Sequence, residues 1–236
     1  AMDPQQRVFL QTGWSALEDA GYGGDSIRGS KTGVFVGYSA DFGQDYRHII
    51  HTFAPDAPEI AVAGNVKSII ASRLAYQLDL RGPTMMIDTA CSSGLVGVHQ
   101  AIRSIRNNEC DMAIAGAVKI DYLPVMDRDD TGVGTKDIQD TIAADERTKT
   151  FDDFSDGTSA AEGVIAFVLK NYDQAVADGD NILAVIAGSA INQDGLSVGI
   201  TAPNSDAQAR LIQDALQDAN LEPEQVSYVE AHGTGT

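Results

Sequence analysis

Cross-linking chemistry is scarce in this sequence: its only two cysteines, Cys91 and Cys110, supply neither a disulfide framework nor the spacing of a zinc site. The four histidines are scattered without an HxxxH or HExxH pattern, so a metal centre has no support. No uncharged apolar run reaches the roughly 18 residues that a membrane span requires, and residues 1–30 lack the basic start and apolar stretch of a secretion signal. Positive charge is also in short supply. Against 34 Asp and Glu stand 16 Lys and Arg, a formal net charge of -18, which repels nucleic acid and anionic lipid. An acidic protein partner would need a basic cluster such as Arg103 and Arg106 to dock on. These absences lead us to expect a cytoplasmic protein with no membrane segment, no nucleic-acid partner and no bound metal.

What is present is a sizeable apolar fraction, 43% of 236 residues, enough for the core of one large α/β domain or two small ones. In MDPQQRVFLQTGWSALEDAGY, Val8, Leu10, Trp14 and Leu17 recur at helical spacing, which predicts a helix over 4–20 stopped by Gly21. KTGVFVGYS reads as a strand at 32–38, and NVKSIIASRLAYQLDL as a helix ending near Arg81-Gly82-Pro83. A β-turn-α-β unit follows: a strand at 84–88, a tight corner, a helix to about Arg106 and a strand at 112–120. Residues 123–150 form a polar excursion, either a cap over something or a plain surface insertion. Further strands are predicted at 162–170, 182–192 and 226–231, with a helix over 205–220 that Ser205 would cap. The pattern is layered α/β, with apolar strands expected to be covered on both faces.

Two segments carry chemistry. DTACSSG places Cys91 where a predicted strand turns into a predicted helix, an arrangement that projects a nucleophile from a strained corner. At a helix N-terminus, free N–H groups and the macrodipole favour the thiolate, and the same N–H groups can hold an oxyanion. The neighbours Asp88, Ser92, Ser93 and Gly94 are small and mostly polar, unlike the surroundings of a core thiol. Cys110, just ahead of a buried strand, reads as a structural thiol, and His48, His51 and His99 read as ordinary histidines. EAHGTGT, at the chain's end, delivers His232 into a Gly-rich turn where a ligand can approach and a proton can be exchanged.

DTACSS and EAHGTGT in this order resemble the β-ketoacyl synthase family, its type I modular polyketide synthase branch in particular. MDPQQR, GVFVG, ASRLAYQLDLRGP, ECDMAIAGAV, KTFDDFSDGTSAAEGV, LAVIAGSAINQDG and GITAPN resemble further segments of such domains, so the likeness covers most of the chain. The resemblance implies a thiolase-like fold of two similar α/β halves, a homodimer, and decarboxylative Claisen condensation. In that chemistry Cys91 would carry the acyl chain and His232 would match the first of two catalytic histidines. Thr201, Thr234 and Thr236 would contact the pantetheine arm. No cofactor would be bound directly; phosphopantetheine would arrive on an acyl carrier protein, and other polyketide synthase domains would be partners.

The match has departures. Gly94 stands where the family typically has a third serine, and 123–150 fits the family pattern poorly. Family domains also have an apolar strand ahead of the MDPQQR region. After HGTGT they continue through a lysine, a second histidine and a Gly-rich loop. Residues 1–236 therefore read as a partial ketosynthase domain, mostly the N-terminal half plus the start of the C-terminal half, delimited at family motifs and unable to condense alone. A ketosynthase-like domain that passes acyl chains without condensing, and a Cys-His thioester hydrolase, are the alternatives.

Overall fold

The computed structural model describes residues 2–38, 46–56, 62–122 and 142–235. The chain divides into two compact units, one of residues 1–170 with 231–236 and one of 171–230.

In the first unit, helix α1 spans Pro4–Asp19. Its start is fixed by Asp3, whose side chain accepts a hydrogen bond from the Gln5 amide at 2.8 Å, and by Pro4, which has no N–H to leave unpaired. Its buried residues are Gln5, Gln6, Phe9, Gly13 and Leu17. The apolar stripe is therefore rotated from the expected one: Leu10 and Trp14 pack only partly against the core. Gly13 explains the rotation, since a Cβ there would lie 2.6 Å from Leu74 Cδ2 on helix α3 (Ile69–Leu78). The two helices cross on that glycine. Helix α3 stops three residues before the expected Arg81, at a left-handed Asp79 with φ 52. A short helix α2 (Tyr46–Phe53) lies between them in the chain.

Strands β1 (Thr32–Tyr38), β2 (Thr84–Ile87), β3 (Met112–Lys119) and β4 (Gly163–Lys170) form one sheet in the order β2-β1-β3-β4. β1 runs parallel to both β2 and β3, whereas β4 is antiparallel to β3. Val34, Val36, Met112, Ile114 and Val118 face α1 and α3 in one apolar cluster. Phe35, Ala113 and Ala115 face the other way, toward helix α4 (Ser93–Arg106) and its Ala101. The alternation is a direct reading of the two-residue strand period. The α4 side carries small residues and so admits that helix closely.

Coverage on both faces holds for β1, every residue of which is buried, but not for β4. Val164, Ala166 and Val168 pack on the core, while Ile165 and Phe167 on its opposite face are more than half exposed.

In the second unit, α5 (Tyr172–Asp178) is capped by Asn171, and α6 spans Ser205–Ala219. The cap of α6 is Asn204, not Ser205: its side chain accepts from the amides of Asp206 and Ala207. The strands expected at 182–192 and 226–231 are absent from the ladders. A strand exists only through backbone bonds to a neighbouring strand, and among the described residues none lies beside either segment. Instead, 182–192 lies along α6: the Ser189 amide donates to Asp218 at 2.9 Å, and Asn192 donates to the Ala207 carbonyl at 2.8 Å.

Candidate active site

Cys91 sits between β2 and α4 and is exposed. Three side chains build the corner under it. Asp88 accepts from the Ala90 amide at 3.1 Å. Ser93, buried, accepts from the Thr89 amide at 2.9 Å and donates to the Ala90 carbonyl at 2.6 Å. Ser92 donates back to the Thr89 carbonyl and hydroxyl, both at 2.9 Å. These bonds hold Ala90 at φ 55, a left-handed conformation that costs a Cβ-bearing residue on the order of 1 kcal/mol. The expected strain is present, one residue before Cys91. Because the Ser92 hydroxyl turns backward, it makes no capping bond to the first turn of α4. That turn's N–H groups, the donors an oxyanion needs, are thus left uncapped by it.

Glycines seat this turn on the sheet. A Cβ on Gly37 of β1 would fall 2.5 Å from the Gly94 nitrogen and 2.6 Å from the Ser93 carbonyl carbon. Gly94 itself faces β3: a Cβ there would come 3.2 Å from Ala117 Cβ. The departure from a family serine at Gly94 thus coincides with a contact that leaves little room for a side chain.

His232 is exposed in a turn where Gly233 and Gly235 adopt φ 51 and 72. The turn rests on the described end of the polar excursion. Thr150 Oγ1 donates to the Gly233 carbonyl at 2.5 Å, and the Gly157 amide donates to the Gly235 carbonyl at 3.1 Å. Residues 123–141 of that excursion lie outside the described residues. Lys149 braces the remainder through Asp156 at 2.7 Å and Asp145 at 3.1 Å. The bonds to Asp156 and then Asp145 push the lysine's pKa up, and the lysine holds both carboxyl groups below their ordinary range.

Cys91, His232 and Thr234 belong to the first unit, Thr201 to the second, and Thr236 lies outside the described residues. Thr234 is half-buried within the His232 turn. Thr201 is exposed on a turn closed by the Ala202 amide and the Gly199 carbonyl at 3.0 Å. The base of its loop is fixed by Asn204, whose amides donate to Asp194. Cys110 is buried, and burial above all pushes its thiol pKa up, in keeping with a structural role. Among the described residues no group of three or more His, Cys, Asp or Glu could hold a metal, and no helix is long and apolar enough to cross a membrane. Nothing in the sequence marks Gly37, Thr150 or Gly157 as supports of the site. Thr150 and Gly157 lie in the KTFDDFSDG stretch, whose polarity gives no sign of its partner 83 residues on.

Residues 1–175 match the family model "Beta-ketoacyl synthase, N-terminal domain", and residues 183–236 match "Beta-ketoacyl synthase, C-terminal domain". The chain belongs to the β-ketoacyl synthase family. It is 44% identical over its whole length to a phenolphthiocerol/phthiocerol polyketide synthase of Mycobacterium tuberculosis, covering 15% of that protein. It is 43% identical over the same span to erythronolide synthase EryA2 of Saccharopolyspora erythraea, covering 6% of it. Among solved structures, the ketosynthase from module 6 of the bacillaene synthase of Bacillus subtilis 168 superimposes with a TM-score of 0.84 at 39% identity. All of this chain and 39% of that one are covered. The fold is thiolase-like α/β, and the chain spans a small part of its curated relatives and well under half of the solved ketosynthase.

Proposed function

We propose that residues 1–236 are part of a modular polyketide synthase ketosynthase that performs decarboxylative Claisen condensation. The observation that carries this reading is the exposed Cys91, raised on a hydrogen-bonded, left-handed corner at the start of α4. The Cys91 sulfur attacks the acyl thioester of a carrier protein, a new thioester forms, and the pantetheine thiol leaves with the proton. The N-terminal amides of α4 stabilise the oxyanion of that step. A malonyl-type thioester then loses carbon dioxide, and its carbanion attacks the acyl carbon. A carbon–carbon bond forms as the Cys91 thiolate departs. His232 donates a hydrogen bond to the thioester oxygen as enolate charge develops.

The pantetheine arm meets the hydroxyls of Thr201, Thr234 and Thr236. The partners are an acyl carrier protein, neighbouring synthase domains and a second copy in a cytoplasmic homodimer. The test incubates the intact ketosynthase carrying this sequence with an acyl carrier thioester, then with malonyl carrier protein. A β-ketoacyl product is expected. Stable acylation without condensation, or release of free acid, overturns the assignment. The 236-residue polypeptide alone is expected to yield no β-ketoacyl product, and robust turnover by it would refute the partial-domain reading.

A further inference from the structure

The turn carrying His232 takes its shape from a loop far away in sequence. Both glycine carbonyls of the turn are hydrogen-bonded to residues 150–157: Gly233 receives the Thr150 hydroxyl at 2.5 Å and Gly235 the Gly157 amide at 3.1 Å. The contact is also steric. A Cβ on Gly233 would lie 2.6 Å from Thr150 Cγ2, and one on Gly235 would lie 2.8 Å from the Gly157 carbonyl oxygen. Thr150 therefore touches the residue next to His232 with both branches of its side chain, the hydroxyl bonding and the methyl packing. The loop is held in turn by its own bonds. Lys149 pairs with Asp145 and Asp156, Thr148 Oγ1 accepts from the Ser159 amide at 2.9 Å, and the Ala143 amide donates to the Thr158 carbonyl at 2.8 Å.

We propose that Thr150 is a positioning residue for His232, fixing the direction in which the imidazole is presented by holding the Gly233 carbonyl. The inference rests on the proposed role of His232 in decarboxylation. Replacing a hydroxyl by a methyl of the same shape isolates the bond: Thr150→Val keeps the packing branch and removes the donor, while Thr150→Ser keeps the donor. Loss of one such hydrogen bond corresponds to about a three- to fivefold effect.

Three readouts in the intact ketosynthase test it: the rate of Cys91 acylation, the rate of carbon dioxide release from malonyl carrier protein, and the rate of His232 carbethoxylation by diethyl pyrocarbonate, mapped by mass spectrometry. Thr150→Val is expected to slow carbon dioxide release by about three- to fivefold, to change the His232 carbethoxylation rate and to leave acylation unaltered. Thr150→Ser should restore wild-type behaviour. Unchanged decarboxylation and His232 reactivity in Thr150→Val overturn the proposal, as does an equal slowing of acylation, which would mark a general structural defect. If the wild-type enzyme releases no carbon dioxide while Thr150→Val still alters His232 reactivity, the catalytic reading of His232 fails and the positional one stands.

Discussion

The Ser93 hydroxyl donates to the Ala90 carbonyl at 2.6 Å and accepts from the Thr89 amide at 2.9 Å, closing the backbone loop from which Cys91 projects. Ser93 is buried, and its removal takes the side-chain partner from the Thr89 amide, whereas the Ala90 carbonyl keeps the Ser93 amide at 3.1 Å. Ser93→Ala is expected to lower unfolding stability by about 1 kcal/mol, measured by urea denaturation. A stability equal to wild type would mean that the neighbouring bonds from Asp88 and Ser92 hold the corner unaided.

The seat of α4 on the sheet makes a second, sharper prediction. A side chain at position 94 would meet Ala117 Cβ at 3.2 Å, so Gly94→Ser should cost about 1–3 kcal/mol by overpacking. Ala117→Gly opens that space, and the double variant should recover most of the loss. A double-mutant cycle reads the coupling directly; additive costs would show that the two positions do not communicate. Gly37→Ala, whose new methyl would lie 2.5 Å from backbone rather than side chain, should be worse than Gly94→Ser and have no single-site rescue.

How much of this was legible in advance depended on whether the deciding interaction was local. β1, β3 and α4 fell close to their expected ends, because period-two and helical apolar patterns bounded by Gly or Pro are local signals. The corner at Cys91 was legible for the same reason: DTACSSG concentrates small polar residues where strand becomes helix. Which residue of the corner takes the strain was not legible, because hydrogen bonding, not residue type, puts Ala90 in the left-handed region. The segments 182–192 and 226–231 read as strands because their composition is β-rich, yet pairing requires a neighbour that composition does not supply. Asn204 displaced Ser205 as the α6 cap because either residue type serves, and the choice turned on which side chain meets the first amides. The support for His232 was invisible for the converse reason: Thr150 and Gly233 are 83 residues apart, and nothing in the stretches that hold them signals that they meet.

Acid should loosen the loop beneath His232. Asp145 and Asp156 are held below the ordinary carboxylate range by Lys149, so their contribution is present above about pH 4 and is lost as pH falls through their depressed values. Lys149 acts in the opposite sense, its contribution persisting below about pH 10 and fading only as pH rises through its elevated value. All three groups are at the surface, so the effect on global stability is small and the expected change is local. Amide exchange at Ser159 and Gly157, corrected for intrinsic rate, should accelerate below about pH 4, and Asp156→Asn should show the fast exchange already at neutral pH. Exchange in Asp156→Asn identical to wild type at neutral pH would show that Lys149 does not brace the loop.

Cys91 and His232 are assigned to different steps, and that division is measurable in the intact ketosynthase. Cys91→Ala removes the sulfur proposed to carry the acyl chain, so acyl transfer from the carrier thioester should disappear, as followed by intact-protein mass spectrometry. His232→Ala leaves the α4 amides and the corner bonds of Asp88, Ser92 and Ser93 in place, so acylation should proceed at close to the wild-type rate. Condensation should instead fall by about 100-fold or more, the range expected when a hydrogen-bonding or proton-transferring group is deleted. If His232→Ala blocks acylation as completely as Cys91→Ala does, the histidine serves as the base that activates the thiol. The Cys-His arrangement of a thioester hydrolase would then describe the site better than that of a condensing enzyme.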